Sequence, residues 1–258
     1  MKKMQFALKE GKIVHISEVE NGLKCNSICA SCKGSLIARK GKIKIPHFAH
    51  VSKLDCPYGI ETAIHIAAKE LFKHKKTIRL PEVSISHGVK RKEKKILHTA
   101  RYINITGVKL EHKLEGIIPD VLLSVNGNEL IVEIKVTHGI DDIKLEKIRK
   151  LGISAIEIDL SKKNKFVEKD ELESMIIDEL QNKRWVYNKK AENEKIKLLE
   201  KTRKIRVHSK RKVVWDCPVI EGEIEFKNSC FICPQAFHFD DENQIVFCRF
   251  PKGDVKEK

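Results

Sequence analysis

The sequence predicts an α/β chain: a mixed sheet flanked by helices, with a small cysteine-bearing module at each end. Three observations carry that reading. Apolar residues at Ile60, Ala63, Ile64, Ala67, Ala68, Leu71 and Phe72 recur at helical spacing. Two apolar runs, 118–125 and 130–136, flank Asn126-Gly127, the dipeptide best suited to a two-residue hairpin turn. A helix and a further apolar strand follow, and strand, helix, strand in that order implies a parallel pair joined by a right-handed crossover.

Taken in order, 6–8 and 12–16 read as a hairpin around Glu10-Gly11, and 36–39 and 42–45 as a second around Lys40-Gly41. The amphipathic helix spans 60–72. Strands are expected over 78–85 and 96–105, joined by the charged loop 90–95. Asp141 or Asp142 can cap a helix that runs to about Lys150, with Gly152 as its stop. The apolar stretch 153–158 is the next strand. Residues 169–206 read as helical and highly charged, and 213–250 as short strands. The expected division is four-part: a β-rich module over 1–58, a core over 59–168, a basic helical linker over 169–212 and a last module over 213–258.

Length allows one large domain or two small ones, since the chain has 258 residues. No apolar run approaches the ~18 residues of a spanning helix, so no membrane partner is expected. Lys9 and Glu10 interrupt the start, which argues against a signal peptide. Basic residues outnumber acidic ones 51 to 36, a net charge of +15. Thirteen basic and three acidic residues fall between Lys183 and Lys212, a local excess of 13 − 3 = +10. A field of that size favours a polyanion, so a nucleic-acid partner is expected. Lysines number 41 against 10 arginines, so codon usage in an AT-rich genome accounts for part of the excess.

The eight cysteines form two groups, each with one Cys-x-x-Cys. Without a secretory signal they would stay reduced in a cytoplasmic protein, and thiolates on a tight knuckle suit zinc. The first site is expected at Cys29, Cys32, His50 and Cys56, with His47 in reserve and Cys25 a bystander. The second is Cys217, Cys230, Cys233 and Cys248. Both zincs would be structural, because closed thiolate-rich sites leave no position for substrate. Around the second group, Trp215, Phe231, Phe237, Phe239, Phe247 and Phe250 read as core packing, with base stacking as the alternative. His238 reads as a strand histidine.

Chemistry is expected on the Asn126-Gly127 hairpin. If those two residues form the turn, Val121 opposes Val132 and Asp120 falls opposite Glu133. Like charges at that spacing destabilise a sheet, and a bound divalent cation would remove the conflict. Period two puts Lys135 on the face of Glu133, while Val132, Ile134 and Val136 face the other way. Two carboxylates with a lysine suit a metal-activated water attacking a phosphate. The bland alternative is an edge strand whose Glu and Lys face solvent. Glu61, His65 and Lys69 form a polar stripe on the helix, which otherwise reads as a solvated face with favourable pairs. His138 is a further candidate for phosphate contact.

Ile118-Pro119-Asp120 followed by Val132-Glu133-Ile134-Lys135 resembles the PD-(D/E)XK motif of restriction-endonuclease-like nucleases. That resemblance implies a restriction-endonuclease-like sheet and Mg²⁺ (or Mn²⁺) bound by Asp120, Glu133 and the Ile134 carbonyl. It also implies Lys135 at the reacting phosphate and Glu61 on the first core helix. Cys29-x-x-Cys32, then His47-Phe48-Ala49-His50, Cys56 and Glu61-x-x-x-His65 is similar to the N-terminal part of CoiA-like competence proteins, which join such a module to a nuclease domain. Two departures stand out: Ala30 where that family commonly has Pro, and Lys135 where it often has Gln. The expected function is a cytoplasmic Mg²⁺-dependent (endo)nuclease acting on DNA, and cleavage of both strands of a duplex by one active site would favour a homodimer. The rival is a zinc-stabilised nucleic-acid binder that does not cleave.

Overall fold

In the computed structural model, residues 4–52, 56–90, 92–161, 168–208, 210–220 and 222–249 are described. Strands β1 (Phe6–Lys9) and β2 (Lys12–His15) turn through Glu10-Gly11, both at positive φ. With β3 (Gly22–Ile28), β4 (Ser35–Arg39) and β5 (His47–His50) they form a five-stranded antiparallel sheet, order β2-β1-β3-β4-β5. The return strand expected over 42–45 does not form. Ile43 there is 98% exposed, whereas Phe48 on β5 is buried and pairs with Ala38 of β4. Ile45, the other apolar residue of that stretch, is exposed as well, and burial of the Phe48 ring sets the pairing instead.

Helix α1 (Gly59–Leu71) forms where the helical period placed it, and Ile60, Ala63, Ile64, Ala67 and Ala68 are buried along one face. Strands β6 (Thr77–Leu80) and β7 (Val83–His87) replace the single strand expected over 78–85. Pro81 separates them, since it has no N–H to extend a ladder. Likewise β8 (Glu93–His98) and β9 (Arg101–Leu110) replace one strand over 96–105.

Strands β10 (Val121–Val125) and β11 (Asn128–Lys135) turn through Asn126 and Gly127, at φ 48° and 76°. Both residues lie in the left-handed region that this turn demands. Helix α2 (Asp142–Leu151) begins at Asp141, whose carboxylate accepts from the Lys144 N–H at 2.7 Å, and ends at left-handed Gly152. Strand β12 (Ser154–Asp159) then runs parallel to β11, with Glu133 beside Glu157 and Lys135 beside Asp159.

The stretch 169–206, expected to be helical, is mixed. It contains α3 (Lys169–Ile177), β13 (Lys183–Tyr187), α4 (Lys189–Glu200) and β14 (Arg203–His208). Trp185-Val186-Tyr187 suits a strand, and Ile205 and Val207 alternate as buried residues between basic ones. The charge of the flanking side chains obscures that period of two. Strands β15 (Val213–Val214), β16 (Ile224–Glu225), β17 (Ala236–Asp240) and β18 (Ile245–Cys248) follow.

The chain folds as two compact units, 1–81 with 100–188, and 82–99 with 189–258. The division therefore differs from the four-part reading: 82–99 joins the C-terminal unit, and 169–188 joins the first. The first unit holds a six-stranded mixed sheet, order β13-β12-β11-β10-β9-β6. Val121, Leu123, Val132, Ile134, Ile156 and Ile158 bury one face in a core that includes α1 and α3. Each such side chain contributes about 1.5–3 kcal/mol of burial. On the other face Leu122, Ile131 and Ala155 pack with Ile148 of α2. The second unit holds the β7–β8 hairpin and a sheet of order β16-β15-β14-β18-β17. Among the described residues no helix is long and apolar enough to cross a membrane.

The basic run is not one field. Lys183 is buried with its ammonium on the Ile177 carbonyl at 3.0 Å, and Arg184 pairs with Glu157. Burial pushes the Lys183 ammonium down to about 8. The folded chain thus holds fewer protons than the unfolded one between about pH 8 and the ordinary lysine value. Stability from this group is present above that window and lost as pH falls through 8. Lys183→Met should therefore lose, relative to wild type, a rise on the order of 1–3 kcal/mol between pH 7.5 and 10.5 in denaturant unfolding. Parallel pH curves for the two proteins would contradict this.

Candidate functional site

Two sites are built in the first unit. One is a cysteine and histidine cluster. The β3–β4 turn makes its knuckle: Cys29 N–H donates to the Gly34 carbonyl at 2.9 Å, and Lys33 N–H to the Cys29 carbonyl at 3.0 Å. His50 comes from the end of β5, and Cys56 lies three residues before the start of α1. The potential ligand atoms of Cys29, Cys32, His50 and Cys56 all lie within 4.8 Å of one another. Cys29 Sγ is 3.8 Å from Cys56 Sγ, and Cys32 Sγ is 3.2 Å from His50 Nε2. A tetrahedron with Zn–S bonds of about 2.3 Å has sulfur–sulfur edges of about 3.8 Å, so the cluster can hold a structural zinc. Burial pushes the Cys29 thiol up to about 11, whereas the Gly34 N–H lowers that of exposed Cys32. A bound cation would keep both deprotonated.

The set is the expected one. His47 is buried and bonds the Ile45 carbonyl through Nδ1 at 2.8 Å, and Cys25 is buried with its thiol on the Leu36 carbonyl. Gly59 is the residue that the sequence did not mark. A Cβ there would meet Cys29 Sγ and Met4 Sδ at 3.2 Å and Cys56 Sγ at 3.3 Å.

The other site lies where β10 begins and β11 ends. The hairpin register is the expected one, Val121 opposite Val132 through Val125 opposite Asn128. Asp120 immediately precedes β10. Its Oδ2 accepts from the Ile134 N–H at 2.8 Å and meets His65 Nε2 at 3.1 Å. Burial acts to raise the Asp120 carboxyl, but the His65 bond and charge and the Ile134 N–H outweigh it and hold it low. Glu133 is buried, and its Oε2 takes the Lys144 ammonium of α2 at 2.6 Å. Its Oε1 is buried with no hydrogen-bond partner. Burial drives the Glu133 carboxyl up to about 7; Lys144 opposes this, and the Asp120 charge adds to it.

Lys135 does not contact Glu133; it pairs with Asp159 of β12 at 3.0 Å. Burial acts to raise the Asp159 carboxyl, but the Ser161 hydroxyl and Lys135 bring it to about 2. The α1 stripe is not simply solvated. His65 reaches Asp120, and buried Lys69 pairs with Glu111 at 2.6 Å. Glu61, one turn before His65, is half-buried, and its carboxylate makes no hydrogen bond among the described residues. His138 is exposed on the loop after β11.

Three contributors went unforeseen. Glu157 is buried beside Glu133, held by Arg184 Nε at 2.8 Å and the Ile140 N–H at 3.1 Å. Asp159 and Lys144 are the others. A charged residue inside the apolar run 153–158 was the available signal for Glu157.

In the second unit Cys230 and Cys248 are buried, and Cys217 and Cys233 pack on the same small core. Burial, then the neighbouring Cys217, Cys233 and Cys248, push the Cys230 thiol up to about 11. Among the described residues, the cysteine group drawn to within 4.8 Å is the first one. Phe226 packs on Phe231 and Phe239, while Trp215 is 53% exposed. His238 lies on β17, and Phe250 lies outside the described residues.

Residues 9–59 match the family model described as Competence protein CoiA, N-terminal domain. The matched stretch supplies Cys29, Cys32, His50, Cys56 and the first residue of α1. No curated protein and no solved structure matches the chain.

Metal analysis should find zinc that Cys29→Ser and Cys56→Ser each reduce by about one equivalent per chain, with a lower Tm. Gly59→Ala should weaken zinc retention against a chelator by roughly tenfold, since its methyl crowds two ligand sulfurs; unchanged retention would contradict the packing at Gly59.

Proposed function

We propose that the chain is a metal-dependent nuclease of the PD-(D/E)XK type, built on a restriction-endonuclease-like sheet. The observation that carries this reading is that Asp120, which precedes the Val121–Val132 pair and accepts from the Ile134 N–H, adjoins Glu133, whose Oε1 is buried and unpartnered. An orphaned carboxylate oxygen beside a second carboxylate is an unfavourable arrangement that a cation relieves. Asp120, Glu133 and the Ile134 carbonyl would hold Mg²⁺ or Mn²⁺, which when bound lowers the pKa of water and polarises a phosphate oxygen.

The chain's own residues supply the rest. Both hydrogen bonds to Asp120 go to Oδ2, leaving Oδ1 for a ligand. His65 keeps that carboxylate ionised. Asp159 holds Lys135 beside the site, where its ammonium offsets charge developing on the phosphate as the water oxygen bonds to phosphorus and the ester bond breaks. Glu61, one turn before His65, is the further carboxylate on α1. The Cys29, Cys32, His50 and Cys56 cluster would hold a structural zinc, and Cys217, Cys230, Cys233 and Cys248 a second. The net charge of +15 supports a nucleic-acid substrate, and the resemblance of the motif supports DNA and a cytoplasmic enzyme.

A second reading, a nucleic-acid binder that does not cleave, is favoured by one observation: the Lys144 ammonium occupies Glu133 Oε2, where a cation would bind. Digestion of single- and double-stranded DNA in Mg²⁺ or Mn²⁺ separates the two. The nuclease reading predicts that Glu133→Gln and Lys135→Ala each lower cleavage by roughly 100-fold or more, while DNA binding persists. DNA bound equally by all three proteins, with no cleavage above the Glu133→Gln background, would establish the binder instead.

A further inference from the structure

A cavity of about 510 Å³ adjoins the carboxylates, and its lining includes Lys113, Ile118, Asp141, Ile143, Lys144 and Lys147. It lies wholly in the first unit. Lys144 joins it to the site, because its ammonium reaches Glu133 Oε2 at 2.6 Å and the Ile118 carbonyl at 3.4 Å. Ile118 is two residues before Asp120 in sequence.

The charge of this cavity is unbalanced. Among the described residues the Lys147 ammonium bonds the Gly116 carbonyl, at 3.1 Å, and no carboxylate lies within ion-pair distance of Lys113 or Lys147. The single lining carboxylate, Asp141, is engaged through Oδ1 as the cap of α2. Lys144 is spent on Glu133, so Lys113 and Lys147 remain against one committed aspartate, and two uncompensated ammonium groups call for an anionic occupant.

Its walls, however, are aliphatic. Ile118 is 55% exposed and Ile143, in the first turn of α2, is 68% exposed. Neither packs in the nearby core of Ile117, Leu122, Ile131, Ile148 and Ala155. A duplex presents its sugar–phosphate backbone to such a surface and keeps its bases stacked. An unpaired strand can turn a base against apolar side chains. Cavities of this size accept small organic groups with a few polar anchors.

We infer that this cavity is a strand subsite: Lys113 and Lys147 bind phosphates flanking the reacting one, and Ile118 and Ile143 receive an unstacked base. The preferred ligand is therefore a single strand or a frayed end. The inference rests on the nuclease reading for the identity of the neighbouring site, and its test is one of binding alone.

The full chain carrying Glu133→Gln, without added divalent metal, would be titrated by fluorescence anisotropy against a labelled 20-nucleotide single strand and its duplex. In that background, Lys113→Gln with Lys147→Gln should weaken single-strand binding tenfold or more. The slope of log affinity against log salt should drop by about 1.4, two lost contacts at ~0.7 each. Ile143→Ser should weaken the single strand by several-fold and leave the duplex unchanged. Lysine variants that bind the single strand normally, an Ile143→Ser loss equal for both ligands, or no binding to either ligand would overturn the subsite. Cleavage by wild type is measured separately. Weakened binding with no wild-type cleavage would sustain the subsite while ending the nuclease reading, and cleavage with normal variant binding would do the reverse.

Discussion

Pairing of β10 with β11 about Asn126-Gly127 is the constraint on which the candidate site depends. A two-residue turn with both residues at positive φ leaves one register, and a slip by one residue would exchange the faces of every side chain in the strand that moves. The penalty for a slip is large: a displaced β11 would take Val132 and Ile134 out of one core and Ile131 out of the other. That apolar double layer holds Asp120 next to Glu133 against their mutual repulsion. The cost at the carboxylates is thus confined to the ends of two central strands whose lengths are stabilised by both cores.

The cysteine cluster works on the same site from the other side. Cys56 and Gly59 tie the start of α1 to the knuckle of the β3–β4 turn, and α1 carries Glu61, His65 and Lys69 one turn apart. His65 reaches Asp120, so the path from thiols to carboxylate is a single helix. A small β module gains most from such a staple, having little core of its own. Metal at the cluster and order at Asp120 should accordingly be coupled through α1.

Much of this was legible before any coordinates. The α1 face, the Asn-Gly hairpin, the Asp141 cap with its Gly152 stop, and the parallel β11–β12 pair followed from local patterns whose physics is local. The choice of Cys29, Cys32, His50 and Cys56 over His47 and Cys25 was also readable. What escaped depends on long-range packing. Pro81 parts one apolar stretch into strands that belong to different units. Ile43 reads as a strand residue yet meets nothing, while Phe48 takes the pairing. Residues 183–187 and 203–208 look like a charged helix until Trp185, Ile205 and Val207 find sheets to join. Lys144, Glu157 and Asp159 approach the carboxylates from elements 11 to 39 residues away in sequence, a neighbourhood that no spacing rule encodes.

The central claim, that Asp120 and Glu133 grip a divalent cation, is tested most directly by a crystal of the chain soaked in Mn²⁺ and read by anomalous scattering. The account predicts a peak bonded to both carboxylates, with Lys144 displaced from Glu133 Oε2. Manganese absent from that position, with Lys144 still seated on Glu133, would contradict it.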